Sequence, residues 1–589
     1  MSEGFAERDE AGEAAEEELV RYARRHGMRL VGPNALGVIN TDPLVGLHAT
    51  FVGVNPVPGR IGLMAQSGVI GAAIIEGATQ LGLGLSSFVA VGNKADVSGN
   101  DLLRYWLDDP GTDVAMLYLE SFGNPSKFSR IARALSRVKP VVAVKVGGER
   151  ADHWHGEDDL VGDEATVAAL LEQTGIVRVE NLTQMFHTAG VLANQPLPAG
   201  RRVAVVTNAW GPAWLAVDAL RAWDLEPARP INLSNDASAD RFAEQVAELY
   251  ADPDVDSVLV VYAPGLRTHY KRVAAALREV ATRPDAVTTV ACLLGNRNVG
   301  LLADERVRVP EFPFPEEAAM ALGRVTRYAN WRRAEVGEAF VPAEDAIAAA
   351  KRKVQTWLED SQNLDDQGRR ILGVVESDEL LAAVGLDSVR QEVVQDADGA
   401  VVAARRIGYP VALKAGGLER LSKTEAGGVA LDVHGDEEVR AAFGRMEQVL
   451  GEGMFPAIVQ AMVPEGIECR IGIARTPVVG DLVTLGVGGA LAERVGDQSV
   501  RLFPVTDRDA DLLIDESAVG SLIDESDPEG RAALRDVLVR LAGLADAIPE
   551  IVRIRLNPVI VAEGSARITD IRVLLAHHLP DTRPPVRRL

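Results

Sequence analysis

The chain is 589 residues long, 47% hydrophobic and 25% charged, with a formal net charge of −24. Such a length exceeds one hydrophobic core and predicts three or four domains, while the acidity excludes a general nucleic-acid binder and requires any phosphate site to be locally positive. No apolar run reaches the roughly 18 residues of a spanning helix, and the two cysteines, Cys292 and Cys469, support neither a disulfide framework nor a cysteine-based zinc site. The acidic start MSEGFAERDEAGEAAEEE lacks the basic-then-apolar layout of a secretory signal, so a cytoplasmic protein is expected.

Through the first 325 residues, short β-branched runs alternate with helical stretches. The runs are IGLMA (61–65), SSFVAVG (86–92), VAMLYLES (114–121), PVVAVKVG (140–147), RVAVVT (202–207), SVLVVYAP (257–264) and VTTVACLL (287–294). Runs apolar on both faces and separated by amphipathic helices predict buried parallel sheets. QPLPAGRR (195–202) breaks the series with proline and glycine before a fresh strand, which predicts a second doubly wound domain. AEDAIAAAKRKVQTWLE (343–359) is rich in helix formers and predicts a connecting helix, followed by a polar linker. From about 370 the alternation is less regular, with long glycine-bearing loops, and an α+β domain is expected.

Several of these elements end in residues that can carry chemistry. AQSGVIGAA (65–73) follows a strand and opens a helix; Ser67, Gly68 and Gly71 there would turn backbone N–H groups toward an anion, although such turns also serve tight packing. TNAWGPAWLA (207–216) repeats the arrangement with Asn208 and Gly211, but Trp210 and Trp214 are expected to crowd it. Glu120 and Lys145 end strands of the expected parallel sheet, where such sheets place ligands. ADHWHGEDDLVGDE (151–164) carries His153 and His155 in a polar loop, either as solvated side chains or as a nucleophile receiving a phosphoryl group. The last 220 or so residues hold YPVALKAGG (409–417), SKTEAGGVAL (422–431), AIVQAMVPEGIEC (457–469), GVGGALAERVGDQSVRLFPV (486–505) and IRLNPV (554–559), with Asp570 beyond. A strand lysine, a glycine-rich flap and an Asn–Asp pair on neighbouring strands suit a Mg-nucleotide site, because Mg²⁺ takes oxygen ligands and shares itself with phosphates.

In this order the pieces resemble the nucleoside-diphosphate-forming acyl-CoA synthetases, the ADP-forming acetate–CoA ligase family similar to succinyl-CoA synthetase. The resemblance implies two flavodoxin-like doubly wound parallel-sheet domains followed by an α+β ATP-grasp domain. It divides the chain into residues 1–45, a remnant of the CoA-binding domain ending in GPN-x-x-G; 46–197, the ligase domain; 198–328, a second flavodoxin-like domain; 329–368, a linker helix; and 369–589, the ATP-grasp domain. The implied reaction joins a carboxylate, ATP and CoA through an acyl phosphate and a phosphohistidine, with Mg²⁺. His155 then matches the phosphoryl carrier and Glu120 the acid that orients it. The resemblance also implies that the turns at 66–71 and 208–213 stabilise the phosphohistidine. Lys414, Lys423, Gln460 and Glu468 match nucleotide-binding positions, and Asn557 and Asp570 the Mg²⁺ ligands.

The sequence also departs from the family. The family's Ser-His-Thr-Gly loop reads His-Trp-His-Gly at 153–156, its His-Lys pair reads Ser422-Lys423, and Arg553 and Arg555 stand where acidic residues are common. The Rossmann glycine loop falls outside the sequence, so a partner supplying the CoA-binding segment, or a start further upstream, is expected; a homodimer is the other assembly considered. These departures motivate an alternative: a catalytically impaired, ligand-sensing regulator related to the ligase-like part of protein lysine acetyltransferases.

Overall fold

The structure, a computed structural model, describes residues 3–146, 163–264, 270–296, 300–360, 363–416, 427–476, 480–489, 498–523 and 527–577. The chain divides into two compact units, the first made mainly of residues up to Ala334 and the second of residues from Glu335 onward.

The first unit holds two sheets. One has seven strands, in the order Leu47–Thr50, Gly37–Asn40, Leu85–Ala90, Pro58–Ala65, Val114–Leu119, Val141–Lys145 and Val177–Val179. The last five are parallel, as their sequences require: Leu85–Ala90 is buried along its whole length, and a strand covered on both faces has no polar alternation. Gly37–Asn40 adds an antiparallel strand against Leu85–Ala90, so a short piece of the segment 1–45 joins this sheet. Trp106 packs fully buried on the sheet, its indole N–H donating to Ser87 Oγ at 3.0 Å. Gly62 makes the room, since a Cβ there would lie 2.5 Å from the ring. A buried aromatic with its polar edge satisfied contributes on the order of 2–3 kcal/mol.

The second sheet runs Ile231–Asn232, Arg202–Thr207, Ser257–Tyr262 and Thr288–Leu293, all parallel, with Glu226–Pro227 paired to Arg202–Thr207. Both sheets are covered by helices, giving the doubly wound arrangement read from the alternating pattern.

The second unit begins with the helix Glu344–Glu359. A four-stranded sheet follows in the order Gln391–Val394, Ala457–Ala461, Val411–Ala415, Val429–Val433, antiparallel throughout. A larger, seven-stranded sheet is built around Ile467–Thr476 and Ile551–Ala562. Along Ile551–Ala562 buried and partly exposed residues interleave, the mark of a sheet with one solvated face. Cys469 is buried there and Cys292 in the first unit, and burial pushes both thiols up, Cys469 to about 12. Both act as small apolar fillers. Among the described residues no helix is long and apolar enough to cross a membrane.

Candidate functional site

In the first unit Gln66 follows the strand Pro58–Ala65, and the helix Gly68–Gln80 begins two residues later. Ser67 caps the helix, its Oγ accepting from Ile70 N at 3.4 Å. The N–H groups at the start of a helix have no partner within it, so this turn faces outward with positive character. Gly71 does not share that role: its N–H donates to Ser67 O, and a Cβ there would lie 3.0 Å from Phe88 and 3.1 Å from Ala65. Its missing side chain lets the helix sit on the sheet, which corrects the expectation that Gly71 faces a phosphate.

Gln66 fixes the neighbouring strand end. Its Oε1 accepts from Glu120 N at 2.6 Å and Ser121 N at 2.9 Å, and its Nε2 donates to Ser121 O at 2.7 Å. Glu120 is thereby held beside the Ser67 turn with its carboxylate exposed. Lys94 approaches from the adjacent loop and its Nζ donates to Ser121 Oγ. Burial holds the Lys94 ammonium below its ordinary pKa and Lys145 adds to the effect, while Glu120 opposes both. Lys145 ends its strand, donating to Val146 O at 2.7 Å and lying 5.9 Å from the Phe122 ring. Two lysines, one carboxylate and a helix start therefore gather at the C-terminal ends of parallel strands.

The second turn is built in the same way. Asn208 is buried after its strand, and its amide both donates to Ala263 O and accepts from Ala263 N, each at 2.8 Å. Both polar atoms are thus committed to the main chain, so the Asn208 side chain positions a strand end. The helix Trp210–Ala222 has Ala209 as N-cap and no side-chain cap. Trp210 and Trp214 stack at 6.0 Å and are 48% and 52% exposed. They do not crowd the turn, since a Cβ at Gly211 would have no atom within 4 Å. Gly211, Pro212, Leu215, Leu294, Asn296 and Phe314 instead line an open cleft of about 450 Å³ with mostly apolar walls.

In the second unit five of the expected residues converge. Lys414 on Val411–Ala415 and Gln460 on Ala457–Ala461 share a face, since Gln460 pairs with Ala412. Both donate to the Thr569 carbonyl, Lys414 Nζ at 2.9 Å and Gln460 Nε2 at 2.9 Å. Thr569 leads into Asp570, whose carbonyl accepts from Asn557 N at 3.2 Å. Asn557 Oδ1 in turn accepts from Gly489 N at 2.9 Å. Gly489 adopts a φ of +65°, and a Cβ on it would lie 1.4 Å from Glu468 Oε2. That glycine leaves room for the Glu468 carboxylate beside the residue that bonds Asn557, and neither its position nor that of Thr569 was singled out in the sequence. The glycine-rich run was the available signal. Asn557, Asp570 and Glu468 supply hard oxygen donors and fit Mg²⁺. His155 and Lys423 lie outside the described residues.

A doubly wound unit with a polar helix start, joined in one chain to an antiparallel unit that gathers a buried lysine, a glutamine and carboxylates, is the architecture of an acyl-CoA ligase. The family model of the succinyl-CoA ligase like flavodoxin domain matches residues 58–192, and that of the ATP-grasp domain matches residues 363–575. The 4-hydroxybutyrate–CoA ligase (ADP-forming) of Nitrosopumilus maritimus is 30% identical over 97% of this chain and 86% of the relative. Acetate–CoA ligase (ADP-forming) I of Archaeoglobus fulgidus is 31% identical over 98% of this chain and 87% of its own. Among solved structures, the dinucleotide forming acetyl-coenzyme A synthetase 1 of Ca. Korarchaeum cryptofilum in complex with phosphate and ADP is similar with a TM-score of 0.51 and 28% identity, covering 56% of this chain and 77% of that one. The chain belongs to the ADP-forming acyl-CoA ligase family.

Proposed function

We propose that the protein is an ADP-forming acyl-CoA ligase that converts a carboxylate, ATP and CoA to acyl-CoA, ADP and phosphate through a phosphohistidine and an acyl phosphate. The observation that carries this reading is the convergence of Lys414, Gln460, Glu468, Asn557 and Asp570 around Thr569 and Gly489. Lys414 and Gln460 are buried and hold their polar ends at one carbonyl. A buried ammonium held at a carbonyl is placed to meet nucleotide phosphate at little cost of reorganisation. Asn557 and Asp570, with Glu468 beside them, would hold Mg²⁺, which neutralises phosphate charge when bound. His155 accepts the phosphoryl group from ATP. The Ser67–Gly68 turn receives that charge, and Glu120 holds the imidazole N–H opposite the bond to phosphorus.

The substrates are small molecules, and the domain limits given above belong to this proposal, as do a cytoplasmic location and assembly as a homodimer or with a partner chain. The reading as a ligand-sensing regulator has no support in the relatives reported above, which are ligases. The test is incubation with γ-labelled ATP and Mg²⁺, followed by acid- and base-stability tests of labelled protein. Acid-labile, base-stable label that is lost in His155→Ala, and discharged by CoA with a carboxylate, is the expected outcome. ATP binding by calorimetry with no label on the protein would overturn it. Gly489→Ala should weaken ATP binding by at least about tenfold, because its Cβ displaces Glu468.

A further inference from the structure

Lys94 is an unusual lysine by position and by surroundings. It sits in a left-handed conformation, φ +61°, which side-chain-bearing residues adopt seldom and which the fold must enforce. The enforcement is visible. Asn93 N donates to Pro33 O at 3.0 Å, Lys94 N to Val91 O at 3.0 Å, and Ala95 N to Gly32 O at 3.3 Å. Gly92 carries φ +52°, and a Cβ on it would lie 2.1 Å from Pro33 O. Two residues further on, Asp96 is buried and bound by Arg24, Arg29 and the Leu30 N–H. A turn fastened on both sides therefore aims one side chain at the ends of the parallel strands.

That side chain is a cation with no salt bridge among the described residues. Lys94 is partly buried, and among the described residues it forms no ion pair; its Nζ meets the neutral Ser121 hydroxyl. Glu120 acts on it only at a distance, and Lys145 repels it. Partial burial of an ammonium costs free energy unless an anion compensates. Here the N-terminus of the Gly68–Gln80 helix adds positive character on the other side, since Gln66 ties Ser121 to the turn that opens it. The two ammonium groups and the helix start outweigh the Glu120 carboxylate beside them, so the vicinity suits a further negative group.

We infer that Lys94 binds the phosphoryl group during its passage between the histidine and the carboxylate. The inference rests on the ligase reading above. In that step the nitrogen–phosphorus bond of the phosphohistidine breaks and a carboxylate oxygen–phosphorus bond forms. The electron pair of the broken bond returns to the imidazole nitrogen, and the proton on the other ring nitrogen stays there, facing Glu120. Charge concentrates on the three phosphoryl oxygens, where the Lys94 ammonium stabilises it. The nucleotide half of the cycle does not use this lysine.

The experiment separates the two halves. Phosphoenzyme made from γ-labelled ATP is chased either with ADP or with CoA plus the carboxylate, from a panel running from acetate to aromatic acids, that discharges the wild type fastest. Lys94→Met should be discharged by ADP within about twofold of wild type and by the carboxylate at least about tenfold more slowly. Lys94→Arg, which keeps the charge, should recover most of the loss. Equal discharge of Lys94→Met and wild type on both routes overturns the inference and leaves the ligase reading standing; so does an equal slowing of both routes. Should Lys94→Met fail to fold, Lys94→Arg and Ser121→Ala carry the test: only the carboxylate route should slow in Ser121→Ala, and an unchanged rate overturns the inference. A wild-type protein that takes no label overturns both readings together.

Discussion

The turns that open the helices Gly68–Gln80 and Trp210–Ala222 share a construction and differ in what surrounds them. In each, a parallel strand ends in an amide side chain that grips the main chain at the end of the next strand, Gln66 at Glu120 and Ser121, Asn208 at Ala263. The amide suits this because it both donates and accepts. The first turn then carries a serine cap and gathers Lys94, Glu120 and Lys145. The second has no side-chain cap, carries an exposed tryptophan pair, and lends Gly211, Pro212 and Leu215 to an apolar cleft. The shared frame positions backbone; the residues around it decide whether charge or apolar surface is presented.

Removing the grips should have the largest effect. Gln66→Met deletes three hydrogen bonds and leaves main-chain groups unpartnered, so it should destabilise the protein by about 3 kcal/mol in urea unfolding and slow discharge of the phosphoenzyme. Asn208→Leu deletes two such bonds and should cost about 2 kcal/mol. Equal losses in phosphoryl transfer from the two changes would break the distinction between the turns.

Removing the helix cap should cost less. The Ser67 bond to Ile70 N is long, 3.4 Å, so Ser67→Ala should destabilise by only about 0.5 kcal/mol. Trp210→Ala should likewise have a small effect on stability, under about 1 kcal/mol, because half the ring is already in water. A larger loss would show that the tryptophan pair is structural.

Lys94 gives a pH test whose sign is opposite to that of a salt-bridged lysine. Its folded-state pKa lies below the ordinary 10.5 because burial disfavours the charged form. Between the two values the unfolded chain binds more protons than the folded one, so stability rises with pH across that window. Below it the charge costs stability in full. Lys94→Met should therefore be more stable than wild type at neutral pH in denaturant melts, and the advantage should shrink as pH rises toward 10.5. An advantage that does not change with pH would mean that the charge is not the cause.

The strands of the first unit were legible because burial on both faces leaves an uninterrupted apolar run; SVLVVY is buried from Ser257 to Tyr262. The helix over 343–359 was legible from its helix formers, and it spans Glu344–Glu359. The antiparallel Gly37–Asn40 strand was not, since four residues carry too little pattern against a motif that reads as a loop. Nor were the grips of Gln66 and Asn208, because a hydrogen bond to a distant main chain leaves no periodicity in sequence. Gly71 misled for a related reason: a glycine beside a phosphate and a glycine under a phenylalanine look the same until Phe88 is in place. Gly489 was hidden among several glycines, and only its φ and the nearness of Glu468 single it out.

The fastening of Asp96 has a practical side. Arg24 and Arg29 come from the first thirty residues, as do Glu7 and Glu16, which accept from the Asn93 amide. Anyone trimming this polypeptide to a minimal soluble fragment would be tempted to start at the first strand and discard that segment as a leftover. Doing so would unfasten the loop two residues from Lys94 while leaving every strand in place, and the shortened protein would pass a folding assay with its lysine untethered. Expression boundaries should therefore be drawn upstream of Glu7, and affinity tags kept clear of it.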